Sequence, residues 1–177
     1  MQTWIALLRG INVGGNHILP MKNLRALVES LGVQNVRTYI QSGNCVFDCE
    51  DGDAPKLAER IAETIEDNFS FRPQVMVITK DNLAAALAGN PYPEGLDNPK
   101  SVHLYFLSEP AKHADLSALN QIKTPSEHFS LCNTVFYLFT PEGIGHSKLA
   151  SQVEKHLKVP VTARNLRSAI KIFELTD

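Results

Sequence analysis

An excess of charge of either sign is missing from this sequence. Lysine and arginine number 17 against 19 aspartates and glutamates, for a formal charge of −2 and a pI near 6.3, so no global attraction draws the chain to nucleic acid or to an anionic membrane. Long apolar runs are missing as well. No stretch approaches the ~20 apolar residues that a membrane helix needs, and the N-terminus has neither the basic start nor the cleavage site of a secretory signal. Cysteine is scarce: Cys45, Cys49 and Cys132 are odd in number and widely spaced, which argues against a disulfide framework and fits a reducing compartment. The expected location is the cytoplasm. Paired zinc-ligand spacing is absent from these cysteines and the six scattered histidines, so no metal and no cofactor is expected.

What is present is 177 residues, 44% of them hydrophobic, enough to bury the core of one domain or of two joined halves. Thr3 to Leu8 reads as a buried strand, and Met21, Leu24, Leu27, Val28 and Leu31 recur at helical spacing up to a stop at Gly32. Asn35 to Gln41 and Asn44 to Asp48 flank Ser42-Gly43, which predicts a two-residue hairpin pairing Gln41 with Asn44, Tyr39 with Val46 and Arg37 with Asp48. Asp53 is placed to cap a helix whose Leu57, Ile61, Ile65 and Phe69 share one face, and Gln74 to Thr79 closes the set as a strand. The order over residues 1–79 is β-α-β-β-α-β, the ferredoxin-like arrangement of two helices on one face of an antiparallel sheet.

A short helix near Asp81 to Leu87 and the turn-forming stretch from Gly89 to Pro99 make residues 80–99 a connector. The order then nearly repeats over residues 100–177: strand Ser101 to Leu107, helix Ala114 to Ile122, a hairpin of Glu127 to Cys132 with Thr134 to Phe139 turning near Asn133, helix Ser147 to Leu157, and a last helix from about Arg164 to Leu175. The expected fold class is α+β, two ferredoxin-like halves with antiparallel sheets, the second ending in an extra helix.

Three segments carry the chemistry. In Leu7-Leu8-Arg9-Gly10-Ile11-Asn12-Val13-Gly14-Gly15-Asn16 an apolar strand breaks into a glycine-rich loop, where Arg9 supplies charge, Asn12 amide donors, and Gly14 and Gly15 close backbone approach to an anion. The loop is not a nucleotide phosphate loop, because Asn16 and His17 stand where Lys and Ser or Thr would act, and it lacks the spacing of a dinucleotide fingerprint; the glycines also suit a plain turn. In Gly143-Ile144-Gly145-His146-Ser147-Lys148, Ser147 is a helix cap and Lys148 adds charge to the helix start. In the last helix, Arg164, Arg167 and Lys171 would share a face, with Thr162 as cap and Asn165 in the first turn. His17 and His146 are the loop histidines available as acid or base. The hairpin face with Arg37, Gln41 and Asn44 offers only Tyr39 for base stacking, and the acidic Glu59, Glu63, Glu66 and Asp67 would repel a polyanion.

The segments LLRGINVGG (Leu7 to Gly15), TYIQSGN (Thr38 to Asn44), GHSKLA (Gly145 to Ala150) and TARN (Thr162 to Asn165) resemble, in this order and spacing, a bacterial family, domain of unknown function 1697 (DUF1697). The resemblance implies two ferredoxin-like α+β halves and no established activity, substrate or cofactor. Relatives tend to carry tryptophan and threonine where Leu166 and Ser168 stand here, and many carry lysine in place of Asn16. The expectation is a small binding protein that holds a phosphorylated or otherwise anionic ligand, in a cleft between the halves, with Arg9, Asn12, Gly14, Gly15, Lys148, Arg164 and Asn165. The alternatives are an enzyme acting on a phosphate- or carboxylate-bearing metabolite and an RNA or protein interaction module.

Overall fold

The computed structural model describes residues 1–50 and 52–177. In the first half the elements run β1 (Gln2–Arg9), α1 (Met21–Glu29), β2 (Gln34–Tyr39), β3 (Asn44–Cys49), α2 (Ala54–Phe69), β4 (Gln74–Thr79) and α3 (Lys80–Ala88). The strands form one antiparallel sheet in the order β2-β3-β1-β4. The second half runs β5 (Val102–Leu107), α4 (Leu116–Ile122), β6 (His128–Cys132), β7 (Val135–Phe139), α5 (Lys148–Leu157), β8 (Val161–Asn165) and α6 (Leu166–Glu174), with the matching sheet order β6-β7-β5-β8. Both halves are therefore ferredoxin-like, and each closing strand feeds directly into one further helix.

The chain divides into two compact units, Met1–Ala84 with Lys171–Asp177, and Ala85–Ile170. The first division falls inside α3, within the 80–99 stretch. The second falls inside α6, so the last seven residues belong with the first unit. There Lys80 Nζ lies 2.7 Å from the Asp177 carboxylate and 5.7 Å from the centre of the Phe173 ring.

In the first unit, Trp4, Ala6 and Leu8 of β1 and Cys45 and Phe47 of β3 bury against Leu24 and Val28 of α1 and Leu57, Ile61 and Ile65 of α2. The four-residue spacing in α2 produces that stripe, and Asp53 starts the helix by accepting a hydrogen bond from the Lys56 amide. In the second unit, Tyr105, Leu107, Phe136 and Leu138 pack with Leu119, Leu149, Val153 and Leu157. Asp115 and Ser147 cap α4 and α5 through the amides of Ala118 and Ala150.

Two local expectations are corrected. The β2–β3 connection has four residues, Ile40 to Gly43, with Tyr39 opposite Asn44 and Arg37 opposite Val46. Ile40 and Gly43 both take positive φ, 48° and 87°, and Asn44 Nδ2 closes the loop by donating to the Tyr39 carbonyl at 2.9 Å. A shift of two residues keeps Arg37 and Tyr39 on the face of Asn44 and Val46, while Gln41, expected on that face, lies in the loop. The other correction concerns residues 161–165, which form β8 instead of leading a helix from Arg164. Val161 and Thr162 are β-branched and favour a strand. Arg164 is thus on a strand opposite Leu104, and the expected Arg164, Arg167, Lys171 helical stripe does not form. Thr162 is buried within β8, and the cap of α6 is Asn165, whose Oδ1 accepts from the Ser168 amide at 2.8 Å. Asn165→Ala is expected to cost about 1 kcal/mol, readable as a lower urea midpoint with unchanged slope.

Candidate functional site

Arg9 is the last residue of β1, opposite Gln74, and its exposed guanidinium lies 3.4 Å from Gln74 Oε1. Gly10 follows at φ 77° and turns the chain out of the sheet. The next residues form a miniature hairpin: Val13 and Asn16 bridge, the Asn16 amide donates to the Val13 carbonyl at 3.0 Å, and Gly14 and Gly15 at the tip have φ of 58° and 76°. Positive φ at both central residues is what a primed two-residue turn requires, so the turn itself accounts for this glycine pair.

Asn12 holds this loop in place. Its Nδ2 donates to the carbonyls of Leu19 and Gln41, both at 2.9 Å, and its Oδ1 accepts from the Leu19 amide at 2.7 Å. Its main-chain amide donates to the His17 carbonyl at 3.0 Å. His17 adds a second anchor, with Nδ1 3.0 Å from the Gly10 carbonyl and its ring stacked on Phe71 at 4.6 Å. The result is a loop fixed at its base, with Gly14 and Gly15 exposed at its tip and Arg9 exposed beside it.

In the second unit, Lys148 is the exposed first residue of α5. The start of that helix already has a carboxylate, which sequence reasoning missed. Glu127, 5% exposed, accepts from Ser147 Oγ at 2.5 Å and from the Thr124 amide at 2.9 Å. Burial alone would raise its pKa, but these hydrogen bonds and the charge of Lys123 outweigh it and hold the carboxyl below the usual range. The signal was legible in principle, since Thr124-Pro-Ser-Glu127 has the spacing in which a glutamate reaches back to the amide three residues earlier.

Arg164 is only 8% exposed and donates through Nη1 to the Ala163 carbonyl at 2.8 Å. Burial pulls its pKa down to about 10, so it remains a cation at neutral pH. Asn165 is beside it on β8, engaged as the α6 cap. Leu166, where relatives tend to have tryptophan, is 2% exposed and packs close to Gly95; it is a core residue and presents no surface to a ligand. His146 is exposed in the turn Ile144–His146. Among the described residues no cluster of three His, Cys, Asp or Glu is placed to hold a metal ion, and no helix is long and apolar enough to cross a membrane.

In the first unit Arg9, Asn12, Gly14 and Gly15 belong to one loop region, whereas in the second unit Arg164 and Asn165 are on strand β8 and Lys148 is at the start of a separate element, α5. Comparison with known proteins agrees with the fold. The model of a family described as "Protein of unknown function (DUF1697)" matches residues 1–137. The solved structure of the conserved bacterial protein SP0830 from Streptococcus pneumoniae superposes with a TM-score of 0.71 at 23% identity, covering 99% of both chains. Among curated proteins, none matches.

Proposed function

The chain belongs to the DUF1697 family, whose function is unknown, and from that premise we propose that it is a binding protein for a small ligand bearing a phosphate or carboxylate. The observation that carries this reading is the anchored loop at the end of β1. Hydrogen bonds from Asn12 and His17 fix its base, while Arg9 and the Gly14-Gly15 tip face solvent. A loop ordered before its ligand arrives pays less entropy on binding. The Arg9 guanidinium supplies a planar fork for a bidentate contact with an oxyanion, and the glycine amides supply main-chain donors. In the second unit the candidate cations are Lys148, exposed at the start of α5, and Arg164, largely buried on β8. The three free cysteines of the chain suit a reducing compartment, and we place the protein in the bacterial cytoplasm.

Thermal unfolding in the presence of phosphate, sulfate, nucleotides, sugar phosphates and short oligonucleotides tests the reading. A ligand at 100 times its Kd adds about 2.7 kcal/mol, a rise of roughly 5–11 °C for a chain of this size. A small anion is expected to produce that rise in the parent and not in Arg9→Ala, each compared with its own ligand-free melt. If every compound leaves the parent unmoved, or both proteins shift alike, the loop is only a turn.

A further inference from the structure

Strand β6 ends one edge of the second sheet, in the order β6-β7-β5-β8. Its two-residue connection to β7 places Cys132 opposite Val135, followed by Leu131 opposite Phe136, Ser130 opposite Tyr137, Phe129 opposite Leu138 and His128 opposite Phe139. In an antiparallel ladder, hydrogen-bonded and non-hydrogen-bonded pairs alternate, and the pair that closes a two-residue loop is hydrogen-bonded. Residues 132, 130 and 128 therefore bond to β7, while the main-chain N–H and C=O groups of Phe129 and Leu131 point outward from the edge.

Edges of this kind are usually blunted by a bulge, a proline or a charge. The strand in the equivalent position of the first unit is blunted: β2 shifts register between Gln34 and Arg37, carries Asn35 at φ 51°, and holds Asn35 and Arg37 against Asp48 at 2.8 and 3.8 Å. The sequence of β6, HFSLC, has no charge and no proline, and its register is unbroken.

We infer that β6 is a self-association edge, pairing antiparallel with β6 of a second copy about a two-fold axis through Ser130. The edge is self-complementary about that axis, so a second copy satisfies its outward donors and acceptors. With Ser130 on the axis, Phe129 faces Leu131 of the other copy and Leu131 faces its Phe129. All four outward residues then fall in hydrogen-bonded pairs, giving four N–H···O bonds. Moving the axis to Phe129 or Leu131 leaves only one of the two outward residues of each copy paired within the strands. The side chains agree with the register. Phe129 and Leu131 lie on the helix-covered face, each partly buried against the core, and their pairing across the axis continues that apolar layer. On the other face Ser130 meets Ser130, and the exposed His128 and Cys132 meet each other, with no like charges opposed. The joined sheets have eight strands. Five residues per copy is a small contact beside the about 1,200–2,000 Å² of stable complexes, so the dimer is reversible and appears as protein concentration rises.

Ser130 then faces its own copy in a non-hydrogen-bonded pair with Cα atoms about 4.5 Å apart, within disulfide range. In a Cys132→Ser/Ser130→Cys variant, oxidised glutathione is expected to convert most chains to a covalent dimer on a non-reducing gel, while Cys132→Ser alone stays monomeric. Independently, the sedimentation coefficient of the parent should rise with concentration, and Ser130→Lys, which sets two like charges on the axis, should stay at the monomer value. Cross-linking of the double variant no greater than in Cys132→Ser overturns the inference. So does a parent that sediments as a monomer at every concentration, or one that Ser130→Lys leaves unchanged.

Discussion

Gly43→Ala is expected to remove about 2–5 kcal/mol of stability, the sum of placing an L residue in left-handed backbone and of overfilling a packed site. Gly43 has φ +87°, and an added Cβ would lie 2.6 Å from Ile11 Cδ1 and 2.8 Å from Leu8 Cβ. The isoleucine tip can swing aside, but Leu8 Cβ is fixed to the central strand, and the Leu8 amide donates to the Gly43 carbonyl at 2.8 Å. Strand and loop must therefore separate to make room. Gly32→Ala is the control: its φ is +82°, yet nothing lies within 4 Å of the added atom, so only the backbone cost of about 1–2 kcal/mol applies. Urea denaturation of the two variants separates crowding from backbone strain. Because the Gln41 carbonyl two residues before Gly43 accepts from Asn12, Gly43→Ala should also loosen the Arg9 loop and weaken any anion bound there.

Glu127→Ala is expected to cost about 3 kcal/mol, because it leaves Ser147 Oγ and the Thr124 amide without their carboxylate acceptor and hydrogen bonds to charged groups contribute about 1.5–3 kcal/mol each. At roughly 2–4 °C per kcal/mol, the melting temperature should fall by about 6–12 °C at neutral pH. The difference depends on pH with a defined sign. The Glu127 pKa is held down in the folded state, so its stabilisation is complete above the unfolded value of about 4.3 and is lost as the pH falls through the lower folded value. The gap between parent and Glu127→Ala should therefore be full near pH 7 and shrink on the acid side. A gap that is constant from neutral to strongly acid pH would mean that the side chain acts through packing and not through its charge.

The difference between what was legible in the sequence and what was not follows from the kind of signal each element carries. The α2 stripe of Leu57, Ile61 and Ile65 and the continuous apolar run of β1 are periodic, and periodicity survives whatever the rest of the chain does. The β2–β3 hairpin was legible in its strands and faces but not in its loop. Ser42-Gly43 has the composition of a two-residue turn, and the extra residues are absorbed by Ile40 in a left-handed conformation that its side chain gives no reason to expect. Strand β8 is five residues, three of them polar, and the helix-forming run after it masked its end. The candidate site was legible as a list of residue types and not as roles. Asn12 and Asn165 look like ligand amides in a sequence, whereas in the fold they anchor a loop and cap a helix. Arg164 reads as a surface cation until β8 places it on a buried strand. Such side-chain to backbone bonds depend on the final positions of amides distant in sequence, and composition does not encode them.

The most direct test of the proposed function is an amide-resolved NMR titration of the 15N-labelled parent and of Arg9→Ala with inorganic phosphate and with a sugar phosphate. The account predicts saturable shifts of the Gly14 and Gly15 amides and of Arg9 Nε in the parent, with the glycine shifts lost in Arg9→Ala while its other resonances keep their positions. Glycine amides that do not move in the parent, or that move equally in Arg9→Ala, would contradict it.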